Sequence, residues 1–187
     1  LAWTLLGGLD FLNQITLQLM GPSMDQQVVL VLAFMLVGGL IGLPLSLYQT
    51  FSVEQRFGFN KTTWKTWIID AIKGLGLTAV LGIPLISAVL WVLQMLGPLA
   101  WLYAWLGMQV FTVIIQFIAP KWIMPIFNKF TPLEDGSLRS AILEFAAKVK
   151  FDLQNIFVID GSKRSAKSNA FFTGFGRAGE ISLDQRT

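Results

Sequence analysis

Residues 74–120 decide the fold of this chain, and they read GLGLTAVLGIPLISAVLWVLQMLGPLAWLYAWLGMQVFTVIIQFIAP. This run of 47 residues contains no Asp, Glu, Lys or Arg. About 20 apolar residues suffice to cross a bilayer as a helix, so a single helix of this length would overshoot it roughly twofold. Gly97-Pro98 divides the run near its middle. We therefore predict two membrane spans, at about residues 75–96 and 99–119, joined by a tight turn.

Two earlier segments extend the same pattern towards the N-terminus. Residues 28–53 form a second uncharged run, 26 residues long, which predicts a span at about residues 28–52. Residues 1–20 are apolar but contain Asp10 and Asn13, and we interpret them as part of a further span. The composition agrees with a membrane protein, because only 13% of the residues are charged, whereas soluble domains have about 25%.

The basic residues predict the orientation of the spans. All 14 Lys and Arg lie within residues 56–73 or from residue 121 onward. With three spans, both basic regions fall on one side of the membrane, and the positive-inside rule makes that side cytoplasmic. Trp91, Trp101, Tyr103 and Trp105 flank the Gly97-Pro98 turn, as an aromatic belt at the opposite interface would.

The pattern changes after Phe127. Thr131-Pro132-Leu133-Glu134 predicts a capping box with Pro at the first helical position. An amphipathic helix should follow, with apolar positions at Leu138, Ile142, Phe145 and Val149. Strands are predicted at residues 155–160, 170–173 and 180–183, and we expect the sheet to be open at its last edge. The predicted fold class is thus a multi-pass α-helical membrane protein with a cytoplasmic α+β extension.

Several kinds of chemistry are excluded for these residues. The chain has no Cys, which removes disulfides and thiolate catalysis, and no His, which removes the commonest general base and metal ligand. No carboxylate pair has a recognisable catalytic spacing. Basic residues near aromatic residues do not predict a nucleic-acid partner, because their flanks are membrane spans.

Two motifs near the C-terminal end have alternative interpretations. Residues 174–179 match G-x-G-x-x-G, but a strand rather than a helix follows, so a hairpin turn is favoured over a dinucleotide site. The loop GSKRSAK at residues 161–167 could bind phosphate or lipid headgroups. A solvated basic loop is favoured there, because three cations fall short of a polybasic cluster.

Polar side chains within the spans leave further alternatives open. Asp70 and Lys73 could belong to a polar pathway, although a local ion pair three residues apart is favoured. Three Gln side chains lie within the spans, at Gln94, Gln109 and Gln116. They either line a water-filled cavity or form hydrogen bonds between helices.

Three stretches of this chain resemble the type I CAAX prenyl proteases, which are membrane-integrated zinc metallopeptidases. They are VEQRFGFNKTT at residues 53–63, PIFNKFTPLEDG at residues 125–136 and VIDGSKRSAKSNAFFTGFG at residues 158–176. The resemblance covers about residues 28–176 and implies several membrane helices around an intramembrane chamber. It also implies a Zn²⁺ cofactor held by H-E-x-x-H and a distant Glu, in the endoplasmic reticulum or bacterial inner membrane.

The resemblance divides the chain into a transmembrane region, residues 1–127, and the start of a metallopeptidase domain, residues 128–187. It implies cleavage of peptide bonds near the C-terminus of prenylated or other membrane-associated proteins, with the lipid bilayer as second partner. No catalytic or metal-binding residue is expected in this chain. We expect the H-E-x-x-H helix in a C-terminal catalytic region shortly beyond Thr187, and the chain alone to be inactive. The alternative is a non-enzymatic membrane scaffold or truncated paralogue that binds anionic lipid.

The same resemblance suggests substrate-binding residues. In the family, SNAFFTGFG resembles the strand before the catalytic helix, along which an extended substrate pairs. The residues expected to line the cleft are Asn169, Ala170, Phe171, Phe172 and Thr173. The alternative is that Phe171 and Phe172 are ordinary strand core. Two features depart from the family pattern: Lys167 stands where members often have His, and the terminal ISLDQRT replaces the usual apolar continuation.

Overall fold

In the computed structural model, which describes residues 2–151, 153–167, 170–173 and 179–184, long helices dominate the chain. The helices are α1 Ala2–Leu5, α2 Gly8–Met20, α3 Met24–Tyr48, α4 Trp64–Met95, α5 Ala100–Ile118, α6 Met124–Phe127 and α7 Ser137–Lys148. The chain divides into two units. The first comprises Leu1–Gln49 and Ala71–Thr112, and the second comprises Thr50–Asp70 and Val113–Thr187.

Three helical segments are long and apolar enough to cross a membrane. They are Met24–Glu54, Trp64–Met95 and Gly97–Phe127, of 31, 32 and 31 residues. A long apolar helix is present at each of the three predicted spans, and each helix is longer than the span predicted for it. The exact bounds of the spans stay a prediction. A π-helical turn, Gln49–Glu54, extends α3, and another, Ala119–Ile123, leads from α5 into α6. Charged residues at the ends of the uncharged runs, such as Glu54 and Lys121, therefore lie in helical turns and not beyond the helix ends.

The tight turn between the last two spans is confirmed. Residues Gly97–Leu99 form a single 3-10 turn, and Gly97 adopts a φ of 60°, which a residue with a side chain rarely accepts. Trp91 and Trp101 on either side of this turn are 51% and 64% exposed within the chain. This exposure suits aromatic rings at a membrane interface.

A buried polar network joins α2 to α3 in the first unit. The side-chain amide of Gln26, only 3% exposed, donates to Thr16 Oγ1 at 2.8 Å and to Asn13 Oδ1 at 3.1 Å. Ser23 caps α3 by accepting from the Gln26 backbone N–H at 3.1 Å. Helix α2 has 13 residues, or about 20 Å, which is shorter than a complete span.

A second polar contact joins α3 to α4. Gln94 Nε2 donates to Gln27 Oε1 at 2.9 Å, which decides for Gln94 in favour of bonding between helices. Gln109 and Gln116 are exposed on α5. For these two residues the choice between a wet cavity and an interhelical bond stays a prediction.

The second unit contains a four-stranded sheet in the order β1-β2-β4-β3. Its strands are β1 Phe130–Pro132, β2 Leu153–Ile159, β3 Ala170–Thr173 and β4 Gly179–Asp184. Strands β2 and β4 are parallel, and the other two pairs are antiparallel. Ile156, Ile159 and Ser182 of the sheet are buried, as is Ala146 of α7.

The three predicted strands are confirmed, but the prediction of an open last edge is wrong. Strand β4 lies between β2 and β3, so that β1 and β3 are the edges of the described sheet. The reason is that β4 pairs on both sides, parallel to β2 and antiparallel to β3. Because β3 and β4 are consecutive and antiparallel, the hairpin interpretation of the glycine motif is supported. The motif residues 174–178 themselves lie outside the described residues.

The predicted capping box is wrong. Thr131 lies in β1, where its backbone pairs with Val158 and its hydroxyl donates to the Val158 carbonyl at 3.2 Å. This pairing keeps Thr131 from capping a helix, and α7 begins five residues after Pro132, at Ser137. The predicted amphipathic helix is present, but its apolar side is exposed within the chain, with Leu138 at 56% and Phe145 at 66%.

Replacing Gln26 with Ala should lower the free energy of unfolding by about 1–3 kcal/mol, because the buried hydroxyl of Thr16 and the half-buried amide oxygen of Asn13 lose their donor. Denaturation followed by circular dichroism in detergent would measure the change. Gln18→Ala, at an exposed position of α2, is the matched control and should change it by less than about 0.5 kcal/mol. Equal effects of the two substitutions would contradict a stabilising role for this network.

Candidate functional site

The three stretches that resemble the CAAX prenyl proteases meet around Arg164. This residue follows β2 and the 3-10 turn Gly161–Lys163, and its side chain is half-buried, at 26% exposed. Its guanidinium group forms two hydrogen bonds with the carboxylate of Asp70, in the second turn of α4. Arg164 Nε donates to Oδ2 at 2.7 Å, and Nη2 donates to Oδ1 at 3.0 Å. Such a bidentate, charge-assisted pair fixes both partners in orientation as well as in distance.

The same guanidinium group also binds the end of the third helical segment. Arg164 Nη1 donates to Asn128 Oδ1 at 3.0 Å, and Nη2 donates to the Phe127 carbonyl at 2.7 Å. All three nitrogens of the side chain are thus engaged. The hydrogen bond to Asp70 raises the pKa of Arg164, so the group stays charged at any physiological pH.

The backbone around Arg164 completes the contact. Its carbonyl accepts from the Lys61 N–H and from Thr62 Oγ1, each at 3.1 Å. Ser165 forms an antiparallel bridge with Asn60, and the N–H of the next residue, Ala166, donates to the carbonyl of Phe59. We call this assembly the Arg164 clasp; it comprises Arg164, Asp70, Phe127, Asn128 and the backbone of residues 59–62 and 165–166.

Lys167 extends the clasp by one residue. Its Nζ lies 3.5 Å from Glu54 Oε1 and 4.7 Å from the centre of the Phe59 ring. The cation therefore combines an ion pair with a cation–π contact. At the position where the family often has His, Lys167 accordingly makes a polar contact of its own.

Asp160 holds the base of the loop. Its carboxylate accepts from the Lys129 N–H at 2.7 Å and from the Lys163 side chain. Partial burial by itself raises the pKa of Asp160, but the hydrogen bonds from Lys163 and from the Lys129 backbone outweigh it and hold the pKa below its usual value.

These contacts agree in part with the prediction of a solvated basic loop at residues 161–167, because Lys163 and Lys167 are 66% and 56% exposed whereas Arg164 is half-buried. Its three cations are engaged by protein groups: Lys163 by Asp160, Arg164 by Asp70 and Lys167 by Glu54. Asp70 binds Arg164, a partner that its local sequence does not indicate. The predicted pair of Asp70 with Lys73 stays a prediction.

The predicted substrate-binding residues lie on the edge strand β3, except for Asn169, which lies outside the described residues. Ala170 is exposed and Phe171 is half-buried, and these two pair with Leu183 and Ser182 of β4. Phe172 and Thr173 continue the same register, opposite the next two residues of β4. The strand begins three residues after Lys167, the last contact next to the clasp.

A zinc site does not fit the residues of this chain. The sequence has neither His nor Cys, the usual ligands of zinc. Within the described ranges, no group of three or more acidic side chains gathers in a way that could hold a metal ion. Any metal that serves the family's chemistry would need other ligands.

Comparisons with known proteins agree with the resemblance. The family described as the CAAX prenyl protease N-terminal region, with five membrane helices, matches residues 1–129, and peptidase family M48 matches residues 132–186. A CAAX prenyl protease 1 homolog of Arabidopsis thaliana is 45% identical over 75% of this chain and 33% of its own length. CAAX prenyl protease 1 of Saccharomyces cerevisiae is 47% identical over 72% of this chain and 30% of its own length.

A solved structure shows the same fold. The crystal structure of S. mikatae Ste24p matches with a TM-score of 0.90 and 37% identity, over 98% of this chain and 44% of that one. The chain spans about a third of the length of the Arabidopsis thaliana and Saccharomyces cerevisiae relatives. The predicted multi-pass membrane fold with a small α+β portion is confirmed.

Replacing Asp160 with Asn should lower the free energy of unfolding at pH 7 by about 1 kcal/mol, because a charged acceptor is lost. A carboxylate with a lowered pKa stabilises the fold above its unfolded pKa, near 4, and that contribution disappears as the pH falls through the lower folded pKa. Unfolding of both proteins at pH 7 and near pH 3 would measure this, and the difference should become smaller at the lower pH. Asp135→Asn, on an exposed carboxylate, is the control, and a difference of the same size at both pH values would contradict the role of the charge.

Proposed function

The chain belongs to the M48 peptidases, in the branch of the CAAX prenyl proteases. From this membership we propose that it is part of an integral-membrane zinc metalloendopeptidase. Residues 1–127 would form part of its membrane scaffold, and residues 128–187 would begin its peptidase domain. The proposed reaction is hydrolysis of peptide bonds near the C-terminus of prenylated or other membrane-associated proteins. The proposed location is the endoplasmic reticulum or the bacterial inner membrane, with the basic loops on the cytoplasmic side.

The position of β3 at the sheet edge is the observation that carries this proposal. One side of β3 pairs with β4, and within the described sheet no strand covers the other side. An exposed edge offers a row of backbone N–H and C=O groups to an extended peptide. Such pairing gives affinity without demanding one side-chain sequence, which suits a protease that accepts several C-terminal peptides.

The side chains of residues 169–173 would add to this backbone pairing. In the proposal, Asn169 offers an amide donor and an acceptor to the substrate backbone, at the point where the strand begins. Ala170 is exposed and leaves room for a bound chain, whereas Phe171 is half-buried and anchors the strand to the sheet. The residues of this chain thus bind and orient the peptide.

The chemical step itself is not assigned to these residues. Zinc has no ligand set here, so the proposal places the H-E-x-x-H ligands and the general base in a region of the protein beyond this chain. The contribution of residues 1–187 would be to hold the substrate against that region, at a fixed place beside the membrane.

One observation favours a second candidate, a membrane scaffold that binds anionic lipid. Lys121 is exposed at the end of the apolar part of α5, and the neighbouring Trp122 is 75% exposed. A cation beside an exposed indole is suited to a headgroup region. Binding to liposomes that contained phosphatidylserine, if weakened strongly by salt, would favour this candidate when no peptidase activity was found.

The 187-residue chain alone should cleave no farnesylated peptide, because it lacks the ligands that hold zinc. The full-length protein that contains it should cleave such a peptide, and a chelator should abolish the activity. Product formation measured by mass spectrometry, with and without added Zn²⁺, would check both expectations. Zinc-dependent cleavage by the short chain, or an inactive full-length protein, would refute the proposal.

Asn169→Ala in the full-length protein should lower kcat/KM for a farnesylated peptide by about tenfold, the effect of losing one or two hydrogen bonds to the substrate. Asn155→Ala is the matched control, since Asn155 is exposed on β2 and its side chain bonds to Glu180 across the strands. Steady-state kinetics of both variants would test the assignment. Unchanged turnover in Asn169→Ala would remove this residue from the cleft.

A further inference from the structure

We propose that Arg164 is a positioning residue that sets the height of β3 above the bilayer and thereby selects which peptide bond of a membrane-anchored substrate is cut. The inference rests on the proposed function, because it concerns the bond that the protease chooses. It adds a specificity role for a residue that does not belong to the predicted cleft.

The first step is the place of the clasp relative to the membrane. The uncharged run that contains α5 ends at Pro120, in the π-helical turn that follows the helix, and Lys121 is the first basic residue after it. Phe127 and Asn128 follow within two helical turns, about 10 Å farther along the helix. The acceptors that hold Arg164 therefore lie just outside the hydrocarbon layer, on an extension of a spanning helix.

The second step is the rigidity of this attachment. Arg164 makes four hydrogen bonds through three nitrogens, to Asp70, Phe127 and Asn128, at 2.7–3.0 Å. The planar fork of a guanidinium group matches a carboxylate in two bonds and still has donors for other acceptors. A Lys ammonium is a single point charge on a flexible stem, and it could not hold three acceptors in these directions.

The third step is the short path from the clasp to the strand. Ala166 bonds to Phe59, and Lys167 contacts both Glu54 and the Phe59 ring. Strand β3 begins at Ala170, so only two residues separate the attached loop from the strand. Because a residue spans at most about 3.6 Å, the start of β3 lies within about 11 Å of Lys167. The pairing of β3 with β4, which itself pairs with β2, limits its position further.

The consequence concerns a substrate whose lipid sits in the bilayer. An extended peptide advances about 3.3 Å per residue. A strand at fixed height therefore presents one peptide bond of the anchored chain to the catalytic region, whereas a shift of one residue length presents its neighbour. Loosening the clasp should spread cleavage over adjacent bonds, which a simple loss of stability would not do.

The experiment uses the full-length protein in lipid nanodiscs, with the variants Arg164→Lys, Asp70→Asn and the conservative Asp70→Glu. The substrate is a farnesylated peptide, and mass spectrometry counts the products of each peptide bond. In Arg164→Lys and Asp70→Asn we expect kcat/KM to fall about tenfold, mainly through KM, and cleavage at neighbouring bonds to exceed a tenth of the products. Asp70→Glu, which keeps the charged acceptor, should retain most of the single-bond preference.

The chain offers a matched control in the exposed ion pair of α7. Arg139 and Asp135 are 40% and 90% exposed and are bonded to one another. Arg139→Lys and Asp135→Asn make the same chemical changes away from the clasp, and they should leave both rate and product pattern unchanged.

A second measurement is independent of activity. Hydrogen exchange of the β3 amides, residues 170–173, should become at least about fivefold faster in Arg164→Lys and Asp70→Asn and stay the same in the α7 variants. If the unmodified protein cut no peptide but exchange responded in this way, the proposed function would fail while the positioning of β3 by Arg164 stood. A reduced rate with a single product, or unchanged exchange in both clasp variants, would overturn the inference.

Discussion

The ion pair between Arg164 and Asp70 is the interaction on which the arrangement of the second unit depends. Its partners are 94 positions apart in the chain, and no stretch of local structure would otherwise bring them together. The pair lies half-buried, where attraction between charges is stronger than in water and where loss of one partner leaves the other poorly solvated. The further bonds to Phe127 and Asn128 turn this attraction into a defined geometry, because each of the three nitrogens of the guanidinium group donates to an acceptor.

The spanning helices follow a different rule. Their apolar side chains are largely exposed within the chain; none of the 18-residue windows that identify the second and third spans is buried. In a bilayer this exposure has no hydrophobic cost, since lipid tails are as apolar as leucine. Cohesion between helices therefore comes from van der Waals packing and from polar contacts such as Gln94 with Gln27.

The parts of the fold that depend on local composition could be predicted from the sequence. Runs without charge gave the three spans, and the Gly97-Pro98 dipeptide gave the turn, because both are consequences of the residues themselves. The helices extend beyond the predicted spans, since a charge marks the edge of the hydrocarbon and not the end of the helix. Thr131 and Pro132 resembled a helix start, yet the backbone of β2 offered them a ladder that the local pattern could not reveal.

The candidate site could be predicted only in part, for the same reason. The strand at residues 170–173 was predicted from its place before the glycine turn, and its role as an edge strand was implied by the resemblance. Its position at the edge of the sheet, next to β4, depends on the parallel pairing of β4 with β2. The clasp was missed because neither Arg164 nor Asp70 carries a local signal of its partner. A predicted solvated loop became an attachment point once long-range contacts were formed.

The order of strands in the sheet has a consequence for biosynthesis. Ribosomes add about 5–20 residues per second. Arg164 is consequently made roughly 5–20 s after Asp70, when α4 and α5 have already been synthesised. Strand β4 is synthesised later still. Until then β2 can pair only with β1, and within the described sheet β3 has no strand to pair with. The sheet can thus be completed only after β4 has been made, because both β2 and β3 pair with this strand.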